Sequence, residues 1–155
     1  MKGHPQIIEA LNKRISEELA AILQYMVHAE LLENWGYTKL AEIVEKRAIK
    51  EMEHWEKLVA RIIFLEGEPR VTEIAPVHIA KDTEKIHKND LEAEYIAQRA
   101  YNETIKLAAE LGDNGTKVLL EEILKDEEEH IDWLEAQLDE IQQMGLSAYL
   151  SRYCE

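Results

Sequence analysis

Apolar residues return every three or four positions along most of this chain, which is the spacing of one face of an α-helix. The first stripe, Ile8, Leu11, Ile15, Ile22, Tyr25, Ala29 and Leu32, predicts a helix over about 5–34. Pro5 suits its first turn, where a missing N–H costs nothing, and Gly36 offers a stop. Leu40, Val44, Leu58, Ile62 and Leu65 predict a second helix over 38–66, with Thr38 as N-cap and Gly67 and Pro69 ending it. Leu91, Tyr101, Ile105 and Ala108 predict a third over 83–111, starting near Asp82 or Thr83 and stopping at Gly112. After "GDNG", Leu120, Ile123, Leu134 and Ile141 predict a fourth over 116–144, stopped by Gly145, and "LSAYLSRY" predicts a short fifth over 147–153.

The connections set the topology. Each long segment has about 30 residues and spans about 45 Å. The first and second segments, and the third and fourth, are joined by short links and so form antiparallel hairpins. Between the second and third lie about 15 residues without helical period, roughly 67–82, which when extended reach about 50 Å, enough to return along the whole bundle. The second and third helices then run parallel. The expected fold is an all-α, ferritin-like four-helix bundle with one long crossover and a short C-terminal helix, in one domain over residues 1–155.

Six Gly and three Pro agree with an all-helical chain. A net charge of −14 repels nucleic acid and attracts cations. No apolar run approaches the ~18 residues of a membrane span, and "MKGHPQIIEALNKR" lacks the apolar segment of a signal peptide, so a cytoplasmic location and no membrane partner are expected. The single Cys154 excludes an intrachain disulfide, fits a reducing compartment, and reads as a surface thiol without a role.

Polar residues interrupt the buried stripe at mid-length in all four helices: Glu18 in the first, Glu51 and His54 in the second, Glu94 in the third, Glu127 and His130 in the fourth. An offset of 76 positions carries Glu18 onto Glu94, Tyr25 onto Tyr101, Glu51 onto Glu127 and His54 onto His130, so the chain reads as a repeated helical hairpin. Packed about a pseudo-twofold axis, the six side chains would meet at one level. Ordinary surface charge is the default reading of any one of them. For six in register it fails, because unpaired buried charges cost several kcal/mol each against a total stability of about 5–15 kcal/mol. Four carboxylates balance two divalent cations, and one Glu from each of two helices with Glu-x-x-His from each of the others is the ligand set of di-iron and di-manganese bundles. Without Cys, the oxygen-rich set suits iron that changes valence better than zinc. Tyr25, two turns beyond Glu18, can hydrogen-bond a ligand carboxylate or serve as a core tyrosine, and Tyr101 has the same two readings. His28, His78 and His87 lack a repeat partner and read as ordinary histidines.

On these residues and on "LNKRISEELAAILQY", "NWGYTKL", "RIIFLEGEP", "ILKDEEEHIDWLE" and "QLDEIQQMGL", the chain resembles a bacterioferritin over nearly its full length. The resemblance implies iron storage in a shell of twenty-four subunits built from twofold dimers, with a ferroxidase centre inside each subunit that oxidises Fe(II) with O2 or H2O2. It carries ligand roles onto Glu18, Glu51, His54, Glu94, Glu127 and His130, with Glu51 and Glu127 bridging. It implies Met52 as axial ligand of a b-type haem shared between two subunits, on a second apolar stripe of Leu19, Leu23, Met26, Ile49 and Val59. It also implies a shell channel lined by Asn34, Glu66, Asp132 and Asp139, and a ferredoxin as partner for iron release. The chain departs from the family's pattern at Lys46, Arg47 and Lys50, where similar proteins can carry a His and an Asp of a cavity-side iron site, and acidic Glu45, Glu53 and Glu56 flank Met52. The alternative is a small di-iron oxidase or peroxidase of rubrerythrin type without storage, although no rubredoxin-type Cys pair is present.

Overall fold

The computed structural model describes residues 1–154. It has five helices among them: α1 (Pro5–Asn34), α2 (Thr38–Phe64), α3 (Thr83–Glu110), α4 (Asn114–Met144) and α5 (Leu146–Ser151). The ends follow from local chemistry. The Asp82 carboxylate accepts from the Lys85 amide and caps α3, and Asp113 accepts from the Thr116 amide and caps α4 two residues earlier than the sequence suggests. Tyr37, rather than Thr38, occupies the N-cap of α2 and offers no side-chain bond. That helix stops at Phe64, because Glu66 turns to φ 61°, before Gly67 is reached. Ile7, not Ile8, is the innermost residue of the first turns of α1, and Ile22 is only half-buried.

Pairs across the bundle give the directions. Tyr25 meets Glu94 and Arg14 meets Thr104, so α1 and α3 are antiparallel; His54 meets Asp126 and Arg61 meets Thr116, so α2 and α4 are antiparallel too. The crossover climbs along α1 on successive hydrogen bonds. Asn12 donates to the Glu68 carbonyl and accepts from the Arg70 amide, the Ser16 carbonyl accepts from Ala75, Gln24 accepts from the His78 amide, and His28 Nε2 accepts from Ala80. The strap is thus held along its length by side chains and one backbone carbonyl of a single helix.

Its upper anchor continues into a buried polar network. Because Ala80 donates to His28 Nε2, the imidazole proton sits on Nδ1 and is donated to Asp90 Oδ1 at 2.8 Å. Asp90 also accepts from Gln24 at 2.9 Å and from Arg47 at 2.6 Å. Arg47 in turn lies over the Tyr25 ring, 4.5 Å from its centroid. Of the three basic residues Lys46, Arg47 and Lys50, Arg47 alone is buried, with only 5% of it exposed, since Asp90 and Tyr25 draw it inward.

The apolar core falls into two clusters. One gathers Leu32, Leu40, Val44, Ile86 and Tyr149 at the end where α1 passes into α2; the other gathers Leu11, Ile15, Leu58, Ile62 and Leu120 at the opposite end. The polar level lies between them. α5 closes the first end: Tyr149 donates to Gln137 and is bonded to His87 Nε2 at 3.0 Å, with Trp133 set edge-on to the His87 ring.

Burial, reinforced by the positive charge of Arg47, pushes the His87 imidazolium down from its ordinary 6.5 to about 3. The unfolded chain takes up this proton near 6.5, so the stability tied to neutral His87 is complete above that pH and lost as pH falls toward 3. Thermal melts of metal-free protein between pH 7 and pH 4 should show a smaller fall in Tm for His87→Gln, which keeps a donor for Tyr149, than for wild type. Equal falls in the two proteins would show that His87 does not titrate on unfolding.

Candidate metal centre

Glu18 on α1, Glu51 and His54 on α2, Glu94 on α3, and Glu127 and His130 on α4 converge at the polar level. On α2 and α4 a separation of three residues puts carboxylate and imidazole on one face, a helical turn apart. Each of the four carboxylates is at most 2% exposed, and His54 is fully buried. Their ligand atoms form two groups. Glu18, Glu51, His54 and Glu127 make one, and Glu51, Glu94, Glu127 and His130 make the other, with all atoms of a group within 4.8 Å of one another. Glu51 and Glu127 belong to both.

Both imidazoles present Nδ1 to the centre: His54 Nδ1 lies 2.9 Å from Glu127, and His130 Nδ1 lies 3.1 Å from Glu51 and 3.3 Å from Glu94. Six buried atoms, Glu18 Oε2, Glu51 Oε1, His54 Nδ1, Glu94 Oε2 and both oxygens of Glu127, have no hydrogen-bond partner. Buried acceptors that crowd together with only a few shared protons between them fit a cation at their focus, and a carboxylate-rich set with two imidazoles fits two divalent ions.

The remaining oxygens are held by tyrosines, each across to the other helix. Tyr25 of α1 donates to Glu94 of α3, and Tyr101 of α3 donates to Glu18 of α1. Tyr25 thus serves not the carboxylate of its own helix but the pseudo-symmetric one. His28 and His87 lie fully buried in the networks described above, and His78 is exposed.

Sequence reasoning missed Asp126, whose carboxylate accepts from His54 Nε2 at 2.8 Å, and the network of Gln24, His28, Arg47 and Asp90. A signal for the second existed. His28 lies three residues after Tyr25 and Asp90 four before Glu94, so both share the buried face of a residue already singled out. Met52 points away from the centre and is 42% exposed. Asn34, Glu66, Asp132 and Asp139 are all exposed, and Asn34 and Glu66 stand at opposite ends of the bundle, so one chain alone cannot bring the four together.

Residues 8–144 match the family model of the ferritin-like domain. The chain is 43% identical to a bacterioferritin of Brucella melitensis over 96% of its own length and 92% of that protein's. It is 39% identical to a bacterioferritin of Rhodobacter capsulatus, with 94% and 90% covered, and 38% identical to one of Mycobacterium leprae, with 96% and 94% covered.

Without metal, the centre stores protons. Burial and the neighbouring Glu51 carboxylate raise Glu18 well above the usual range, and burial with Glu51 and Glu94 does the same to Glu127. Burial acts on Glu51 too, but hydrogen bonds from Glu18 and both histidines overrule it and hold Glu51 well below. Burial opposes the imidazolium of each histidine, yet the carboxylates raise His54 to about 11 and His130 to about 9. Metal must therefore displace protons from Glu18, Glu127, His54 and His130. Zn(II) calorimetry in buffers of different protonation enthalpy should show several protons released per chain near neutral pH, and affinity rising toward pH 9; binding without release would contradict this charge state.

Proposed function

The chain belongs to the ferritin-like family, and within it to the bacterioferritins, and we propose that it oxidises Fe(II) at this centre and stores the Fe(III) as mineral inside a shell of twenty-four copies. The carrying observation is the pair of overlapping ligand groups that share Glu51 and Glu127. Two Fe(II) ions are the substrate. Glu18 with His54 holds one, Glu94 with His130 holds the other, and Glu51 and Glu127 offer an oxygen to each. Deprotonated, the four carboxylates match the charge of two Fe(II) and still bind when that charge rises. Each ion gives up one electron. O2 takes the pair with two protons and leaves as H2O2, or H2O2 takes the pair with two protons and leaves as two waters. Tyr25 and Tyr101 keep Glu94 and Glu18 oriented, and a cavity of about 380 Å³ between α1 and α3, under Ala75 and Pro76, reaches Glu18, Glu51 and Glu127 and gives the reactants a path.

Storage needs other copies. Leu23, Met26, Ile49 and Met52 form an exposed apolar face on α1 and α2, which suits pairing about a twofold axis. Two copies of Met52 would then face each other and hold a b-type haem between their thioethers. Bound there, haem supplies one-electron transfer, and a reduced ferredoxin would be the source of electrons for iron release. Channels lined by Asn34, Glu66, Asp132 and Asp139 would form where several chains meet. The reading places this chemistry in the cytoplasm, and no helix among the described residues is long and apolar enough to cross a membrane.

Stopped-flow oxidation of Fe(II) should lose its fast phase in Glu127→Ala and in His54→Ala, by about tenfold or more, since losing even the partner of a ligand costs that much; unchanged rates in both variants would remove the assignment. Light scattering on protein expressed with iron and haem supplied should give a large shell that holds mineral and has a Soret band, and Met52→Ala should lose the band. A stable monomer or dimer without mineral would leave a small oxidase, and equal haem in both proteins would reduce Met52 to interface packing.

A further inference from the structure

The repeat that relates the two halves of the centre breaks where the histidines turn their outer nitrogens. His54 and His130 both aim Nδ1 inward, so a metal that takes the Nδ1 lone pair leaves the ring proton on Nε2, where it needs an acceptor. For His54 that acceptor is Asp126, at 2.8 Å. The position 76 residues before Asp126 is Lys50, so the repeat offers His130 a lysine where His54 has a carboxylate. His130 opens onto a cavity of about 230 Å³ lined by Ile43, Lys46, Arg47, Lys50 and Trp133, in which every charged side chain is a donor. Lys50 is itself drawn to Glu53, at 3.2 Å. Among the described residues none accepts from His130 Nε2, and the His130 side chain is 17% exposed where that of His54 is fully buried.

We propose that the two metal positions are unequal by construction: the one built on His54 binds tightly, because Asp126 fixes the tautomer and orientation of its imidazole, and the one built on His130 binds more weakly and exchanges. Asp126 is a positioning residue; it acts through His54. No side chain around the cavity holds the His130 ring in place or raises its basicity as a carboxylate does. The proposal rests on the two-metal reading above and adds an order to it. The ion beside His130 is the one that exchanges.

The test is a titration of metal-free, assembled protein with Co(II), which reports binding by its visible absorption and by calorimetry and does not oxidise in air. Two steps per chain are expected, separated by about 10- to 100-fold in affinity, the usual effect of a lost partner to a ligating histidine. Asp126→Ala should weaken the first step and leave the second, and Lys50→Asp should draw the second toward the first. Lys50→Met, which removes the charge but supplies no acceptor, should leave the steps apart. Equal steps in wild type overturn the proposal, as does a Lys50→Met that merges them as fully as Lys50→Asp. Failure to take up Co(II) at all would instead remove the two-metal reading on which the proposal stands.

Discussion

Four carboxylates share one buried level of this bundle, and everything around them answers to that. Glu18, Glu51, Glu94 and Glu127 lie between two apolar clusters, each at most 2% exposed, with a lone pair of each left unpartnered. Such a level is stable only if positive charge enters it, as protons in the free protein and as metal in the loaded one. Helices suit the task, because their backbone bonds are satisfied internally and each can carry a polar residue at mid-length while both of its ends stay in apolar packing.

Support for the level comes from outside it and is also polar. The crossed tyrosines tie α1 to α3 at the ligands themselves, so the two helices cannot slide without giving up both bonds. One layer farther out, Asp90 collects Gln24, His28 and Arg47, and Arg47 lies on the ring of Tyr25. The Ala80 amide feeds into this chain of contacts, so the long crossover is coupled to the orientation of Glu94. A buried network of this kind is worth having only when complete, since each unsatisfied member would cost about 1–3 kcal/mol.

The departures from pseudo-symmetry are local and chemical. Ligands and tyrosines repeat; Asp126 and Lys50 do not. Both lie on the outer side of the histidines, toward the groove between α2 and α4, whereas the cavity between α1 and α3 reaches the shared carboxylates from the other side. The centre therefore has two faces of different chemistry, one lined by carboxylates and small residues, the other by cations.

By itself the sequence determined the helices, the crossover and the six converging side chains, because each rests on a local rule. Period 3.6 marks a buried face, Gly and Asp mark its ends, and a repeat of 76 positions puts Glu18, Glu51, His54, Glu94, Glu127 and His130 in one register whatever the details of packing. Helix ends read less well where a cap was ambiguous, as at Tyr37 and Asp113, since several neighbouring residues could satisfy the same amides. What the tertiary structure alone decided is which side chain meets which across helices. Tyr25 reaches Glu94 rather than Glu18, Arg47 turns inward although its neighbours Lys46 and Lys50 are exposed, and Asp126 finds His54 from a different helix. Spacing along a chain fixes the face on which a residue stands. Its partner depends on the rotation and offset of the neighbouring helix, which no single stripe contains.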